Sequence, residues 1–190
     1  MTNNTNHEGN ATEVLTGEVR LSYANLFEPK SINNSPPKYS VSLIIPKSDK
    51  ATLGAINAAI EAAYEEGAGK LKGNGKTAPP LAAIKTPLRD GDEERSDDDA
   101  YADSYFVNAN STTAPGIFDR TAKRIIDREE VYSGVYARAD INFYAFNTNG
   151  NKGIACGLNG IQKIRDGEHL GGGGNSEKKF AANPYDDFLS

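Results

Sequence analysis

The chain has 190 residues, a formal net charge of -5 and 37% hydrophobic residues. This length suits one domain with short tails, and no apolar run approaches the ~20 residues of a membrane-spanning helix. The amino terminus lacks a basic region followed by an apolar one, so we expect a cytoplasmic protein without a membrane partner. The acidic balance argues against a broad basic surface that coats duplex DNA, but it is compatible with a local basic groove.

The first third of the chain predicts two strands separated by a loop. Residues 12–23 alternate polar and apolar side chains, as a strand with one buried face does. Residues 25–30 are expected to turn the chain. The pair Pro36-Pro37 then marks a loop, because each proline fixes φ and removes a backbone donor. Residues 38–46 are β-branched and apolar and predict the second strand.

A helix and two further strands are predicted in the middle of the chain. Residues 49–66 show apolar side chains at helical spacing, with Ser48 as the expected cap. Short strands are expected over residues 83–88 and 105–109. Between them, residues 89–103 are rich in Asp and Glu and predict a solvated acidic loop.

Residues 131–165 predict two long strands joined by a polar turn at residues 147–153. The face of the first arm that is expected to enter the core consists of Val135, Ala137, Ala139, Ile141, Phe143 and Ala145. The alternation in the second arm breaks over residues 157–160, where a β-bulge would restore it. This hairpin is the part of the sequence around which the rest is organised.

The order of elements favours a mainly β fold, an OB-like antiparallel five-stranded barrel with one amphipathic helix and a flexible acidic carboxy-terminal tail. The chain has many glycines and lacks the strand-helix-strand rhythm of parallel sheets. We expect a mobile amino terminus over residues 1–11, one barrel domain over residues 12–168, and a Gly-rich linker with an acidic-aromatic end over residues 169–190.

The outer face of the first hairpin arm mixes aromatic rings with a guanidinium, which suits the stacking of nucleic-acid bases. The candidates for base stacking are Tyr136, Arg138, Tyr144 and Phe146, followed by Tyr105 and Tyr132. The candidates for phosphate contact are Lys123, Arg124, Lys152 and Lys163, followed by Lys38 and Arg20. Alternative roles stay open, because large rings in a small barrel often belong to the core and surface cations often pair with neighbouring acids.

Two other functions compete with nucleic-acid binding. Clustered carboxylates in residues 90–103 suggest a metal-dependent nuclease, although their spacing fits no rigid ligand frame. A structural protein, in which the barrel serves only for assembly, is the third possibility. His7 and His169 have no orienting partner in the sequence, and Cys156 is expected to be a buried thiol. We therefore predict no enzyme, no cofactor and no metal.

Three stretches carry a family resemblance: LRDGDEE, YADSYFVNANSTTAPGIFD, and VYSGVYARADINFYAFNTNGNKGIACGLNGIQKIRDGEHLGG. Together they resemble the single-stranded-DNA-binding proteins of tailed bacteriophages. The resemblance extends over about residues 12–174 and is densest in NKGIACGLNGIQKIRDGEHL.

This resemblance implies an OB fold, cytoplasmic action in phage DNA replication or recombination, and single-stranded DNA as the partner, without catalysis. It also implies an acidic tail that contacts replication proteins, here Tyr185, Asp186, Asp187 and Phe188. One departure is that Leu189 and Ser190 follow Phe188, whereas such tails often finish on an aromatic residue. The sequence leaves open whether the chain forms a homo-oligomer.

Overall fold

The computed structural model describes residues 10–31 and 33–170. The predictions made for residues 1–9 and 171–190 lie outside the described residues, and the proposed domain boundaries stay a prediction. The strands of the described part are β1 (Glu13–Leu15), β2 (Val19–Lys30), β3 (Lys38–Pro46), β4 (Leu88–Asp90), β5 (Ser104–Ser111), β6 (Gly116–Phe118), β7 (Tyr136–Thr148) and β8 (Asn151–Arg165). Its helices are α1 (Lys50–Glu66), α2 (Ala68–Lys72) and α3 (Gly91–Glu94), with single 3-10 turns at Leu81–Ala83, Asp99–Tyr101 and Arg128–Glu130.

Five of these strands close into a barrel. The pairing order is β2, β3, β5, β8 and β7, and β7 returns to pair with β2. All of these pairs are antiparallel except β5 with β8. The short strands extend the rim, since β1 pairs with β7, β4 with β5, and β6 with β8. The predicted OB-like five-stranded barrel is thus confirmed, with three short strands added to it.

The hairpin of β7 and β8 follows the predicted alternation. All six inward residues named for β7 are buried, as is Cys156 of β8. Asn149 and Gly150 form the turn with φ of 52° and 84°, which is the two-residue geometry that Asn-Gly favours. Asn159 is the extra residue of a bulge, because the partners of β8 skip it between Leu158 and Gly160.

Helix α1 packs its apolar face on the barrel core. Leu53, Ile56, Ile60 and Ala63 are buried in the same cluster as the inward residues of the strands. The expected cap was wrong by one residue. Asp49 is the N-cap, because its carboxylate accepts a hydrogen bond from the Thr52 amide at 3.1 Å.

Two predicted boundaries also need correction. Residues 25–30 do not turn the chain; β2 continues to Lys30 and bends through two shifts of its register with β3. The fourth strand begins at Leu88, after the 3-10 turn Leu81–Ala83, rather than spanning residues 83–88. Within the predicted range 83–87, Lys85 alone pairs with a strand, through an isolated β-bridge to Gly153 of β8.

The acidic stretch keeps most of its carboxylates exposed, as predicted for a solvated loop, but it is anchored to the barrel at both ends. We call residues 89–103 the strap. Tyr101 is fully buried on the outside of the barrel, where its ring meets Phe106 edge to face at 5.1 Å between centroids. Its hydroxyl donates to Ser42 Oγ at 2.9 Å. At the other end, Lys47 Nζ lies 2.9 Å from Asp90 and 2.7 Å from Asp92. Burial of one ring and this ion pair hold the strap on β3 and β5.

The Tyr101 hydroxyl should contribute measurably to stability. Tyr101→Phe leaves the buried Ser42 hydroxyl without its partner, so we expect the free energy of unfolding to fall by about 1–3 kcal/mol. Urea unfolding followed by circular dichroism measures this. Tyr23→Phe is the matched control, since that residue is exposed, and it should change stability by less than about 0.5 kcal/mol. Equal effects of the two substitutions would contradict the buried contact.

Candidate nucleic-acid interface

An open trough crosses the outer face of β2, β3 and β5. Its central cavity has a volume of about 390 Å³. Tyr23, Asn25 and Lys30 also line an adjoining cavity of about 350 Å³, and Arg95 and Asn108 line a third of about 160 Å³. We call these three connected cavities the trough. The central one is lined by Tyr23, Asn25, Lys30, Ser35, Pro36, Lys38, Ser40, Val41, Ser42, Arg95, Asn108, Ala109 and Asn110.

The floor of the trough is made of small and amide side chains because the strands alternate. The strand registers align one row around the barrel, namely Asn25, Ser40, Asn110, Gly157 and Asn142. The inward neighbours of this row belong to the core, so its own side chains point outward. A floor without bulky groups lets a flat ligand approach the backbone of the sheet.

The walls of the central cavity are cationic. Lys30, Lys38 and Arg95 line it, and no carboxylate lies among the described residues that do so. The Arg95 guanidinium is 5.6 Å from the Tyr23 ring centroid, 5.8 Å from that of Tyr101 and 5.6 Å from that of Phe106. The strap therefore brings an arginine from an acidic stretch to the wall of the trough.

Tyr23 is an exposed ring on strained backbone. Its exposed fraction is 57%, and its φ of 47° lies in the left-handed region that bulky residues avoid. Such a conformation costs about 1–3 kcal/mol, and residues held in this way cluster at binding sites. The ring lies at the edge of the trough, where β2 bends.

Two of the predicted outer residues of β7 already have partners. The Tyr136 ring lies between two guanidinium groups, 3.7 Å from Arg165 and 5.4 Å from Arg20. Arg138 donates its Nε hydrogen to the Thr16 carbonyl at 3.0 Å. Their part in binding DNA stays a prediction.

Tyr144, Phe146 and Lys152 lie near the hairpin turn. Tyr144 is 43% exposed, and partial burial raises the pKa of its hydroxyl. Phe146 is half-buried beside Gly153, which pairs with Lys85. Tyr144 and Phe146 therefore share one part of the surface with Lys85, whereas Lys152 pairs with Asn147 and extends toward Gly73 on the opposite face of the hairpin.

Tyr105, Tyr132 and Lys163 are engaged within the protein. The Tyr105 side chain lies on the same face of β5 as the buried Val107. Lys47 Nζ lies 5.1 Å from the centroid of the Tyr105 ring. The Tyr132 ring stacks on His169 at 3.8 Å. Lys163 pairs with Asp166 at 2.7 Å and Glu130 at 3.2 Å. Although partial burial opposes it, these two contacts raise the pKa of Lys163.

The remaining predicted cations are spread over different surfaces. Lys123 and Arg124 are exposed on the loop after β6. Arg20 donates to the carbonyls of Gly134 and Glu168, whereas Lys38 lines the trough. The tail residues Tyr185, Asp186, Asp187 and Phe188 lie outside the described residues.

Sequence reasoning missed most of the trough. The alternation of β5 held a signal, since Asn108 and Asn110 occupy the face opposite to Val107 and Ala109. No local pattern could have identified Arg95, because it lies in the most acidic part of the chain and reaches the trough only through the fold of the strap.

Four carboxylates of the strap, those of Asp90, Asp92, Glu94 and Asp98, make contacts within the protein. Asp90 accepts from the Asp92 amide and Asp98 from the Ala100 amide, while Arg89 pairs with Glu94 at 2.7 Å. Over residues 10–31 and 33–170, no group of three metal-binding side chains converges. In the same ranges, no helix is long and apolar enough to cross a membrane.

A closed five-stranded barrel with a trough across β2, β3 and β5, whose central cavity has cationic walls and an exposed ring at its edge, is typical of OB-fold proteins that bind nucleic acid. The chain belongs to the family described as Enterobacter phage Enc34, ssDNA-binding protein, which it matches over residues 12–189. The resemblance inferred from the sequence is thereby confirmed.

The chain is also similar to one curated phage protein and to two solved structures. Protein p50 of Acyrthosiphon pisum secondary endosymbiont phage 1 is 31% identical over 169 residues, which cover 85% of this chain and 88% of that protein. The single-stranded DNA-binding protein from bacteriophage Enc34 in complex with ssDNA has a TM-score of 0.70 at 24% identity, over 85% of this chain and 90% of that chain. For gp2.5, a single-stranded DNA binding protein encoded by bacteriophage T7, the TM-score is 0.63 at 14% identity, with coverages of 90% and 93%. The two structures show a shared fold.

The ion pair that anchors the strap should make stability depend on pH. The hydrogen bond from Lys47, followed by that from the Asp103 amide, lowers the pKa of Asp92 in the folded state. A lowered folded pKa stabilises the protein above the unfolded value of about 3.9, and this is lost as the pH falls through the folded pKa. We expect wild type to be more stable than Asp92→Asn at neutral pH, with the difference shrinking below about pH 4. Urea titrations at several pH values measure it; a difference independent of pH would contradict the pair.

Proposed function

We propose that this chain binds single-stranded DNA along the trough, without catalysis and largely without sequence preference. Membership of the phage ssDNA-binding family supports the ligand. The observation that carries the proposed site is the central cavity, where Tyr23 borders a small-residue floor walled by Lys30, Lys38 and Arg95. A strand needs flat surfaces for its bases and cations for its phosphates, and this cavity has both.

Base stacking is assigned to Tyr23 and Arg95. The Tyr23 ring is exposed and its backbone is strained, so we propose that the ring already faces outward before DNA binds. The Arg95 guanidinium is fixed by three rings, and its plane can stack on a base while its charge attracts the backbone. Every base has a π-face, so stacking of this kind tolerates any sequence.

The lysines and amides complete the contacts. Lys30 and Lys38 flank the loop between β2 and β3 and are exposed, so they can follow the phosphates. Asn108 and Asn110 offer donor and acceptor groups to base edges, whereas Asn25 offers its carbonyl oxygen, because its Nδ2 already donates to Tyr23 and Ser40. Because an amide can bind either kind of edge, these contacts hold bases without demanding one of the four.

The strand path is proposed to continue to the hairpin patch, which we define as Tyr144 and Phe146 with the neighbouring Lys85. Lys85 bridges to Gly153, beside which the Phe146 ring lies. Arg89 of β4 lines the trough and follows Lys85 by four residues. In this way the earlier candidates on the hairpin become the far end of one binding surface.

The biological setting is proposed from the family. A role in phage DNA replication or recombination in the host cytoplasm fits a protein that covers single strands. Docking of replication proteins on Tyr185, Asp186, Asp187 and Phe188 stays a proposal. Leu170, the last described residue, lines the same cavity as Tyr23 and Lys30. No observation favours a nuclease or an assembly protein over this function.

The trough should set the affinity for single strands. One stacked base contributes about 1–3 kcal/mol, so Tyr23→Ala should weaken binding of labelled oligo-dT about 5- to 150-fold, while Tyr23→Phe keeps the ring and the affinity. Lys38→Ala should lower the slope of log affinity against log salt by about 0.7 if one phosphate contact is lost. Fluorescence anisotropy at several salt concentrations measures both quantities.

Lys50→Ala is the matched control for Lys38→Ala, since Lys50 is exposed on α1, away from the trough. It should leave the salt slope unchanged. If Tyr23→Ala binds as wild type does, whereas Tyr136→Ala with Tyr144→Ala abolishes binding, the trough is not the site. If wild type fails to bind oligo-dT at low salt, the proposed function itself is wrong.

A further inference from the structure

The loop between β6 and the 3-10 turn Arg128–Glu130 has a feature that the trough does not explain. We call residues 119–130 the finger. Its Ile126 is 84% exposed, more than any other large hydrophobic residue of the described chain that is named as exposed. The side chain of Ile125, by contrast, packs against the core cluster. The finger thus buries one isoleucine and holds the next one in solvent.

The finger is braced from within. The Asp119 carboxylate accepts hydrogen bonds from the amides of Thr121 at 2.8 Å and Lys123 at 3.0 Å. The Asp119 amide donates to the Lys123 carbonyl at 2.8 Å, and the Ile125 amide donates to the Ile117 carbonyl at 2.8 Å. These bonds fix the path of the backbone up to Ile126. The exposed side chain is therefore presented on an ordered support.

A second brace comes from the barrel. Gln162 of β8 donates its Nε2 hydrogens to the carbonyls of Asp119 and Arg120, at 3.3 and 3.4 Å. A side chain of a barrel strand thereby ties the base of the finger to the sheet. A protrusion supported in this way loses little conformational freedom when it contacts a ligand.

Three cations of the finger are unpaired among the described residues, whereas three of its four acids, Asp119, Asp127 and Glu130, accept hydrogen bonds and the fourth, Glu129, is exposed. Arg120, Lys123 and Arg124 are exposed and form no ion pair within the described part of the chain. Asp119 is used by the loop backbone and Glu130 by Lys163. The exposed isoleucine consequently stands next to positive charges that have no described carboxylate partner.

The finger stands at the β2 end of the trough. Arg128 at its base pairs with Glu28 of β2. Lys30, two residues further along β2, lines the trough. Ser133, just after the finger, accepts a hydrogen bond from the Ala24 amide at 3.0 Å and lines the adjoining cavity. A strand that leaves the trough past β2 would therefore meet the finger.

We propose that the finger engages the junction at which a bound single strand continues into duplex. Ile126 inserts against the terminal base pair and unstacks it, and Arg120, Lys123 and Arg124 contact the flanking phosphates. Apolar side chains that part base steps, with cations beside them on the backbone, are a known way of deforming a duplex. This inference rests on the proposed function, because it needs a single strand in the trough.

DNA fits this surface better than a protein partner does. A protein pocket for Ile126 would have to bring carboxylates for three separate cations, whereas one phosphate backbone supplies such charges at regular spacing. The position of the finger at the end of the trough also favours DNA over a protein partner. The proposed role of the finger is to open a duplex end beside the single-stranded DNA that the trough binds.

The test uses the full chain and a duplex with an oligo-dT overhang, with 2-aminopurine in the terminal pair at the junction. Wild type should raise the 2-aminopurine fluorescence well below the melting temperature of the duplex, because the base loses its stacking. Ile126→Ser should bind an untailed oligo-dT strand as wild type does but lose this rise. Leu15→Ser is the matched control, since Leu15 is also exposed and lies three strands away on β1; it should keep the rise.

Three results would overturn the proposal. If wild type binds the overhang without changing the fluorescence, the junction is not opened. If Ile126→Ser and wild type raise the fluorescence equally, the opening does not depend on the finger, and a protein partner becomes the better explanation of its exposure. If wild type does not bind the oligo-dT overhang, the proposed function fails, and the role of the finger fails with it.

Discussion

The structure depends on the closure of a five-stranded barrel whose strands each turn one face inward. Because the inner positions of β3, β5, β7 and β8 are filled by packed apolar side chains, every group that can contact a ligand has to lie on the outside or in the connections. The antiparallel pairs fix the register of that outer face. They align Asn25, Ser40 and Asn110 across three strands and so create the floor of the trough.

The strap contributes a cation to the trough although the strap itself is rich in acidic residues. A net charge of -5 would repel DNA if the charge were spread evenly. Instead, many of the acids are concentrated in the strap, where Asp90 and Asp98 cap short helices and Asp92 pairs with Lys47, and Tyr101 holds the strap against Ser42. The same segment delivers Arg95 to the trough. One buried tyrosine therefore connects the folding of an acidic stretch with the placement of a cation at the proposed site.

The sequence alone predicted the barrel, but it did not predict most residues of the candidate site. Alternation along β7 predicted its buried face residue by residue, and the break near Asn159 predicted the bulge, because strand periodicity and glycine content are local properties. The trough combines Tyr23 on a bent strand with Arg95 from the strap, and these two are close only in the folded chain. A positive φ at a tyrosine has no sequence signature, so an alternating pattern there indicates only a strand. Exposed rings of β7 were visible in the sequence, but the guanidinium groups that flank Tyr136 were not.

The central claim is that single-stranded DNA lies over β2, β3 and β5. The most direct measurement is photocrosslinking of an oligonucleotide that carries 5-iodouracil at every position, followed by mass spectrometry of the crosslinked peptides. The account predicts crosslinks at Tyr23, with further ones at the hairpin patch. Crosslinks confined to Tyr136 and its neighbours, with none on β2, would contradict it.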